Sequence, residues 1–549
     1  MSLCPGLPDP VPAETARLAR AAFRRGNPYL TLRDTLGPLF ADTTFADLYA
    51  HQGPSGYSPA RLAVITLLQF HEDLSDEEAA DAVRSRLDWK YLLALPADDA
   101  GFDVSVLSAF RSRLRRGDAA IRVLEQLIDH ARSQGLLRDR GMQRTDGTHV
   151  LAAVRRLNRL QLVHETMRHV LDVLALVAPT WLQTRLDASW AARYDSPFTR
   201  GRLPTSETAR QTLAEAIGQD GVTLLAAIDA PEAPAVLATL EAVQTLRRIW
   251  DQQYDQQDDG PHLRAVEELA PAAELDCSPY EPDARYSDRR ALSFVGYLLH
   301  LTETCEPDLP SLVLSAQTPP ATTPDCVVLP VIQAELAART LLPGTQIADG
   351  GYVTADALVA SRAAGITLTG PMKPDTSWQA HAAAGYALPD FQLDWAQQQA
   401  TCPQGNTSST WRPITTAYGH PAIQIHFRAH DCGPCPVRSL CTRTDRRSLT
   451  IRPRDVHDAR VQAQVTQTGS TFRTTYRRRA GIEGTLSVAV RSAGARRART
   501  RGFAKVQLEH LFIAASLNLG RLAAWFQGTR PAATRQRPFQ RLVAAPAFP

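Results

Sequence analysis

The sequence predicts an α/β core with a mixed sheet, an all-α amino-terminal domain and a helical insertion within the core. Helical periodicity dominates the first 140 residues and returns from 155 to about 275. Five short stretches between 142 and 370 carry the pattern of strands, with helical stretches between the later ones. At 549 residues the chain is too long for one hydrophobic core, so we expect roughly two to four structural units.

Residues 1–140 are predicted to form the helical amino-terminal domain. Ser75 begins one helix with Glu78 three residues later, which is the pattern of a capping box. A second helix begins near Ser105 and carries several arginines outside its apolar stripe. Two helices with a basic second member fit a module that binds DNA ends, and a helical dimerisation module is an equal alternative.

The predicted α/β core is discontinuous and comprises residues 141–154, 286–371 and 471–527. In chain order it contains three strands, a helix, a strand, a second helix and a last short strand, which describes a mixed sheet. The second helix begins after the capping residue Thr354 and ends at Gly365. The predicted strands are Met142–Val154, Ser293–Thr304, Ser311–Thr318, Thr345–Asp349 and Thr367–Gly370.

Two insertions and a tail complete the predicted organisation. Residues 155–285 show helical periodicity and form the helical insertion. Residues 372–470 form a basic, polar insertion that contains half of the eight cysteines. Residues 528–549 are rich in Pro, Arg and Ala and are expected to form a flexible tail.

The composition is that of a globular protein outside the membrane. Hydrophobic residues make up 44% of the chain and charged residues 21%, and no apolar run approaches the ~20 residues that span a bilayer. Residues 1–13 hold four prolines and lack the apolar core of a signal peptide. We therefore expect a cytoplasmic protein with no membrane partner.

Positive charge is concentrated in one basic segment, Arg438–Lys505. This segment holds 17 basic residues and four acids, a net charge of +13, whereas the whole chain carries only +3. Such a concentration indicates a polyanionic partner, because neutralising phosphates releases counterions and drives binding to nucleic acid. A solvated basic face is the alternative.

Two aspartates lie in or at the end of predicted strands, where open α/β sheets place their functional sites. Asp146 lies inside the first strand and Asp349 ends the fourth, and a glycine follows each of them. Glycine leaves room for a metal ion or a phosphate to approach the backbone. Because Asp-Gly is also a common turn pair, a structural role for each aspartate is the alternative.

Glu483 is the only acid between Asp458 and Glu509, and arginines surround it. An ion-paired surface residue would explain this position. If the segment faces DNA, however, a carboxylate there repels phosphate unless a cation lies between them. Two aspartates and a glutamate supply the hard oxygen ligands that Mg²⁺ prefers, which makes Asp146, Asp349 and Glu483 candidate metal ligands.

The three segments, in this order, resemble the catalytic core of the DDE transposases of bacterial insertion sequences. The stretch TDGTHVLAAVRR resembles their first catalytic strand, and QIADGGYVTADALVASRAAGI resembles their fourth strand and the helix after it. In YRRRAGIEG, Tyr476, Arg479 and Glu483 stand at the spacing of the family's Tyr-x2-Arg-x3-Glu signature. Val490 stands where the family pattern has a lysine, with Arg491 beside it.

The resemblance implies a ribonuclease-H-like core with a five-stranded mixed sheet, in which the first and fourth strands are neighbours. It implies a transposase that cleaves transposon ends and transfers strands into target DNA, with two Mg²⁺ or Mn²⁺ ions on Asp146, Asp349 and Glu483. The implied partners are double-stranded terminal repeats, target DNA and a second copy of the chain in a dimer on DNA, within the nucleoid of a bacterial cytoplasm. A catalytically silent DNA-binding derivative and a nuclease of the same fold are the alternatives. The residues implied to contact DNA are Tyr476, Arg478, Arg479 and Arg491.

Four cysteines of the 372–470 insertion form a second candidate site. Two of them have Cys-x2-Cys spacing, a third follows closely and the fourth lies upstream. Their thiols would hold one structural Zn²⁺ ion in a segment with little apolar core, and His426 or His430 can replace one of them. Free thiols are an equal alternative, and a disulfide framework is not expected in a cytoplasmic protein. The four residues are Cys402, Cys432, Cys435 and Cys441.

Overall fold

The chain forms two compact units. The first comprises Met1–Arg138, Gly147–Thr323 and Ile482–Pro549, and the second comprises Asp139–Asp146 and Pro324–Gly481. Most of the predicted tail, residues 531–549, lies outside the described residues, and so does Cys4. The computed structural model describes residues 2–3, 10–116, 119–154, 157–197, 204–289, 292–382 and 385–530.

The amino-terminal part of the first unit is helical, as predicted. The Ser75 hydroxyl accepts a hydrogen bond from the Glu78 N–H (3.2 Å), and a Glu78 oxygen accepts one from the Ser75 N–H (2.8 Å). The predicted capping box is therefore confirmed. The helices are α1 (Ala13–Ala22), α2 (Pro28–Leu36), α3 (Pro59–His71), α4 (Asp76–Ser85), α5 (Leu87–Leu92), α6 (Ser105–Leu114) and α7 (Ile121–Ser133).

A helical insertion with its own hydrophobic core follows strand β1 (Arg140–Leu151). The insertion is largely helical, as predicted, and it also contains one antiparallel hairpin that was not predicted from the sequence. Only Tyr254 and Pro261 of its two strands are buried, so the sequence has no apolar alternation to indicate strands. The elements are α8 (Arg159–Val177), α9 (Pro179–Gln183), α10 (Ala188–Tyr194), α11 (Glu207–Asp229), α12 (Val236–Thr239), α13 (Glu241–Gln253), β2 (Tyr254–Gln257) and β3 (Gly260–Leu263).

Three further strands of the first unit pair antiparallel. They are β4 (Arg285–Arg289), β5 (Leu292–Thr304) and β6 (Val313–Gln317). Strand β5 pairs with β4 near its beginning and with β6 near its end. It also lies beside β1, because the Ala152 N–H donates to the Val295 carbonyl (3.0 Å) and a Cβ at Gly296 would overlap the Val150 carbonyl.

Strands β7 (Pro343–Ala348) and β8 (Thr367–Thr369) of the second unit belong to parallel pairs. Their helices are α14 (Asp325–Ala338) and α15 (Ala355–Ala363). Strand β7 pairs with β1 on one side and with β8 on the other. The hydroxyl of Thr354 accepts a hydrogen bond from the Ala357 N–H (3.1 Å) and caps α15, as predicted.

The sheet is mixed, as predicted, but it has six strands among the described residues instead of five. The additional strand is β4. Its sequence, RYSDR, is polar and shows no apolar alternation, so the sequence pattern does not reveal it.

The cysteine-containing part of the second unit forms small antiparallel sheets around a small core. One sheet joins β9 to β10, and the other has the order β11–β12–β13. Phe391, Ile425 and Phe427 are among the buried residues of this core. The elements are α16 (Trp378–His381), β9 (Gln392–Asp394), β10 (Gln399–Thr401), β11 (Thr410–Thr415), β12 (Pro421–His426), α17 (Ala429–Cys432), α18 (Arg438–Cys441) and β13 (Ser448–Ile451).

Helices form the rest of the described chain. A 3-10 turn, Arg477–Arg479, separates α20 from α21. In the first unit the buried side chain of Asn518 exchanges two hydrogen bonds of 2.7 Å with the backbone of Val313. No helix in the described ranges is long and apolar enough to cross a bilayer. The helices are α19 (Arg454–Thr466), α20 (Ser470–Tyr476), α21 (Ala480–Ser492) and α22 (Phe503–Phe526).

Candidate active site

Asp146 in β1 and Asp349 directly after β7 lie at matching positions of two neighbouring parallel strands. In the register of β1 and β7, Thr145 lies opposite Ala348, and each aspartate is the next residue along its chain. The side chain of Asp146 is 12% exposed and that of Asp349 is 34% exposed. The strand pairing thus brings together two carboxylates that are separated by about 200 residues of sequence.

One arginine lies against both carboxylates. The Arg479 guanidinium donates to Asp146 Oδ2 at 2.7 Å, and the same nitrogen lies 3.9 Å from Asp349 Oδ2. Arg479 belongs to the 3-10 turn before α21, and its side chain is only 17% exposed. This shielding from water makes the ion pairs stronger than pairs at an open surface.

A further carboxylate of the second unit, Asp325, lies beside this pair. It occupies the first turn of α14. A Cβ at Gly351 would overlap the Asp325 carboxylate and lie 3.0 Å from Asp349 Oδ1. The Gly351 N–H also donates to Asp349 Oδ1 (2.7 Å), so this position needs the small residue and fixes the aspartate. Sequence reasoning did not identify Asp325, because an acid at the start of a helix is an ordinary pattern.

Tyr352 is only 1% exposed, and its hydroxyl lies near enough to the carboxylates to be affected by their charges. Burial, and then the charges of the three aspartates, raise the pKa of its hydroxyl well above the usual value, and the Arg479 charge opposes this effect. The hydroxyl therefore stays protonated and is able to donate a hydrogen bond. In the sequence, two glycines separate Tyr352 from Asp349, and this closeness is the one local sign that Tyr352 belongs to the site.

The other predicted site residues lie on successive helical pieces. Tyr476 ends α20 and stacks on Phe472, with ring centroids 5.5 Å apart. The Arg478 carbonyl accepts a hydrogen bond from Arg144 (2.7 Å). Arg491 lies exposed in the last turn of α21.

Glu483 lies exposed in the first turn of α21. It belongs to the first compact unit, whereas Asp146 and Asp349 belong to the second. The structure therefore brings together Asp146, Asp349 and Arg479, and the membership of Glu483 in a triad stays a prediction.

The donor set of the second unit fits a hard divalent cation. Asp146 and Asp349 already share one positive group, the Arg479 guanidinium, and carboxylate oxygens are the ligands that Mg²⁺ and Mn²⁺ prefer. Among the described residues, no group of three or more His, Cys, Asp or Glu is already arranged to hold a metal ion.

The four cysteines of the second candidate site line one cavity of about 30 Å³. Both histidines considered as substitutes have other partners: His426 Nδ1 lies 2.7 Å from the Ser448 hydroxyl, and His430 lies 3.1 Å from Asp431. Burial raises the pKa of Cys441 above its usual value, the Arg447 charge opposes this effect, and the three neighbouring thiols add to it to a smaller extent.

Two family models match parts of the chain. A model described as "Transposase DDE domain" matches residues 401–523, and one described as "Transposase domain (DUF772)" matches residues 18–113. The first match contains Glu483 but neither Asp146 nor Asp349. No match was found among curated proteins or among solved structures. The two matches support a DDE-type transposase of the insertion-sequence type, as the resemblance predicted.

Proposed function

We propose that this chain cleaves DNA at the ends of its element and joins those ends to target DNA. Two matches to transposase domains support its assignment as a DDE-type transposase. The observation that carries this proposal is the pairing of Asp146 and Asp349 across β1 and β7 around the Arg479 guanidinium. These are the first and fourth strands predicted for the core, and the resemblance implies that those strands are neighbours.

Asp146 and Asp349 would hold a divalent metal ion, and we propose Glu483 as the third carboxylate. A bound Mg²⁺ or Mn²⁺ ion supplies a Lewis acid for the scissile phosphate and lowers the pKa of water, so that water and later a DNA 3′-hydroxyl are able to attack. Glu483 follows Arg479 by four residues, which is about one turn of helix. The turn that carries Arg479 therefore continues into the helix that carries Glu483.

Arg479 would change partners when DNA is bound. In the structure its guanidinium offsets the charge of Asp146. If a metal ion neutralises the carboxylates, the same fork of N–H donors becomes available to phosphate oxygens of the transposon end. Tyr476, Arg478 and Arg491 are proposed to extend this contact along the DNA, with a dimer of the chain holding the paired ends.

The test is cleavage of DNA that carries the terminal repeats flanking the gene, with Mg²⁺ or Mn²⁺. We expect Asp146→Asn, Asp349→Asn and Glu483→Gln each to lower the cleavage rate by at least about 100-fold, because each removes a ligand whose charge is needed at the phosphate. Binding of the same DNA should change far less. Asp356→Asn is the matched control, since Asp356 is an exposed carboxylate of α15 that pairs with Arg452.

Full cleavage by any of the three carboxylate variants would contradict the assignment of that residue. Cleavage without joining in a strand-transfer assay would favour the same-fold nuclease. Binding without strand breakage under either metal would favour the catalytically silent derivative.

A further inference from the structure

The cysteine-containing part of the second unit brings four distant thiols to one place. Cys402 follows β10 directly and lies in a tight turn, where its N–H donates to the Asn406 carbonyl (2.8 Å) and its carbonyl accepts from the Gly405 N–H (2.9 Å). Cys432 ends α17, Cys435 follows it after two residues and Cys441 ends α18. All four line the same cavity of about 30 Å³.

The size of this cavity limits what it can hold. A space of ~10–15 Å³ is enough for one water molecule, so about 30 Å³ suits a single ion but not an organic substrate.

This part of the chain has little apolar core with which to fold. Six buried residues form its hydrophobic cluster, and Cys402, Cys432 and Cys441 pack against them. Small structures of this kind usually need an additional staple, such as a disulfide or a structural metal. Each of the three cysteines is free of a disulfide.

A half-buried arginine next to the thiols points to an anionic centre. The Arg447 N–H donates to Cys432 Sγ (3.5 Å), and the guanidinium donates to the carbonyls of Cys441 (3.0 Å) and Tyr386 (3.4 Å). The guanidinium also lies over the Phe391 ring, 5.3 Å from its centroid. These hydrogen-bond and ring partners are all neutral, and Arg447 Nε is buried without a hydrogen-bond partner. Burial lowers the pKa of Arg447, and the charges of Cys441 and Asp375 oppose this effect without cancelling it. A guanidinium shielded from water is costly unless a negative charge lies near it.

We propose that Cys402, Cys432, Cys435 and Cys441 bind one structural Zn²⁺ ion through their thiolates. Four thiolates around Zn²⁺ carry a net charge of −2, which would offset the charge of Arg447. Among the described residues no group of three or more potential ligands is already arranged to hold a metal ion, so the four thiols would have to move closer together to bind one. Each thiol loses its proton on binding, and zinc affinity therefore falls as the pH is lowered.

The first test is the metal content of the full chain purified under reducing conditions, measured by mass spectrometry. We expect about one zinc ion per chain in the wild type and less than about a tenth of that in Cys435→Ser and Cys441→Ser. Cys435→His should retain zinc, because imidazole is also a zinc ligand but cannot form a disulfide. Cys326→Ser is the matched control, since Cys326 is a half-buried cysteine of the same unit outside the cavity.

Wild-type protein without stoichiometric zinc, or zinc retained in both serine variants, would overturn the proposal. A second measurement guards against variants that fail to fold: the wild-type chain loaded with Co²⁺ should show thiolate-to-cobalt charge-transfer absorption, and its absence also overturns the proposal. Neither experiment contains DNA, so its result is independent of the proposed transposase activity.

Discussion

Two like charges lie on neighbouring strands in the candidate active site, and a single residue, Arg479, offsets their repulsion. Its guanidinium lies 2.7 Å from Asp146 and 3.9 Å from Asp349. Gly351 fixes Asp349 through its N–H and leaves room for Asp325. The carboxylates are thus held in position by a cation and a backbone N–H, and a metal ion would have to replace the cation.

His510 gives the first unit a predictable dependence on pH. It is fully buried in α22, and burial lowers its pKa to about 3, from the ordinary 6.5. As the pH falls below 6.5, the unfolded chain takes up a proton that the folded chain does not. The contribution of the neutral His510 side chain to the free energy of unfolding is therefore intact above about pH 7. It falls by about 1.4 kcal/mol per pH unit between pH 6.5 and pH 3.

Urea unfolding at pH 7.5 and 5.5 measures this effect. His510 Nδ1 lies 2.7 Å from the Thr318 hydroxyl, and the asparagine of His510→Asn keeps an acceptor for that hydroxyl. On acidification, the free energy of unfolding should fall less in this variant than in the wild type, by about 1 kcal/mol. The exposed histidine His420, changed to Asn, is the control. Equal acid sensitivity of wild type and His510→Asn would show that His510 is not neutral and buried in solution.

At the scale of the elements, glycine has opposite effects on stability in helices α11 and α21. In α11, Gly218 and Gly221 leave space for the rings of Tyr254 and Trp250. Trp250 is held there by a hydrogen bond from Nε1 to the Gly218 carbonyl (3.0 Å). In α21, a Cβ at Gly484 would meet no atom within 4 Å. The first helix therefore uses glycine for close packing, and the second has a glycine that only lowers helix stability.

The two helices should consequently respond in opposite directions to alanine. Gly221→Ala is expected to lower the free energy of unfolding by about 1–3 kcal/mol, because its methyl group overlaps the fixed ring of Trp250. Gly484→Ala is expected to raise it by about 0.5–1 kcal/mol through helix propensity alone. Urea or thermal unfolding measures both, and a stable Gly221→Ala protein would contradict the close packing of α11 on Trp250.

At the scale of the whole molecule, the basic segment Arg438–Lys505 carries a net charge of +13, but part of it serves the fold. Arg452 pairs with Asp356, Arg499 with Asp73 and Arg479 with Asp146. In the structure these three cations are engaged by carboxylates, and of the three only Arg479 is proposed to turn to phosphate when a metal ion binds. The number of phosphate contacts is therefore expected to be smaller than the number of basic residues, yet still large.

Binding of DNA should consequently weaken steeply with salt. If roughly six to ten phosphates are contacted, affinity falls about 10³-fold or more between 50 and 200 mM salt. Arg491→Gln should reduce the slope of log affinity against log salt by about one, because it removes one exposed cation of the segment. Arg362→Gln, an exposed arginine of α15 outside the segment, should leave the slope unchanged. A flat salt response would exclude this segment as the DNA-binding surface.

The sequence by itself determined the elements whose signals are local. The capping box at Ser75, the cap of α15 at Thr354 and a strand leading to Asp349 follow from patterns within a few residues. The structure has all three, although the strand ends at Ala348, one residue earlier than predicted. The polar strands β2, β3 and β4 were not predicted because they have no such local signal. Pairing with a neighbouring strand defines them, and their sequences show no apolar alternation.

Only the tertiary structure decided which of the candidate residues meet. The parallel register of β1 and β7 places Asp146 next to Asp349, and chain folding brings Arg479 and Asp325 to the same carboxylates. No local pattern encodes these contacts, since they join residues up to about 330 positions apart. The physical reason is that strand pairing and charge neutralisation depend on distances in space, whereas helix caps and periodicity depend on distances along the chain.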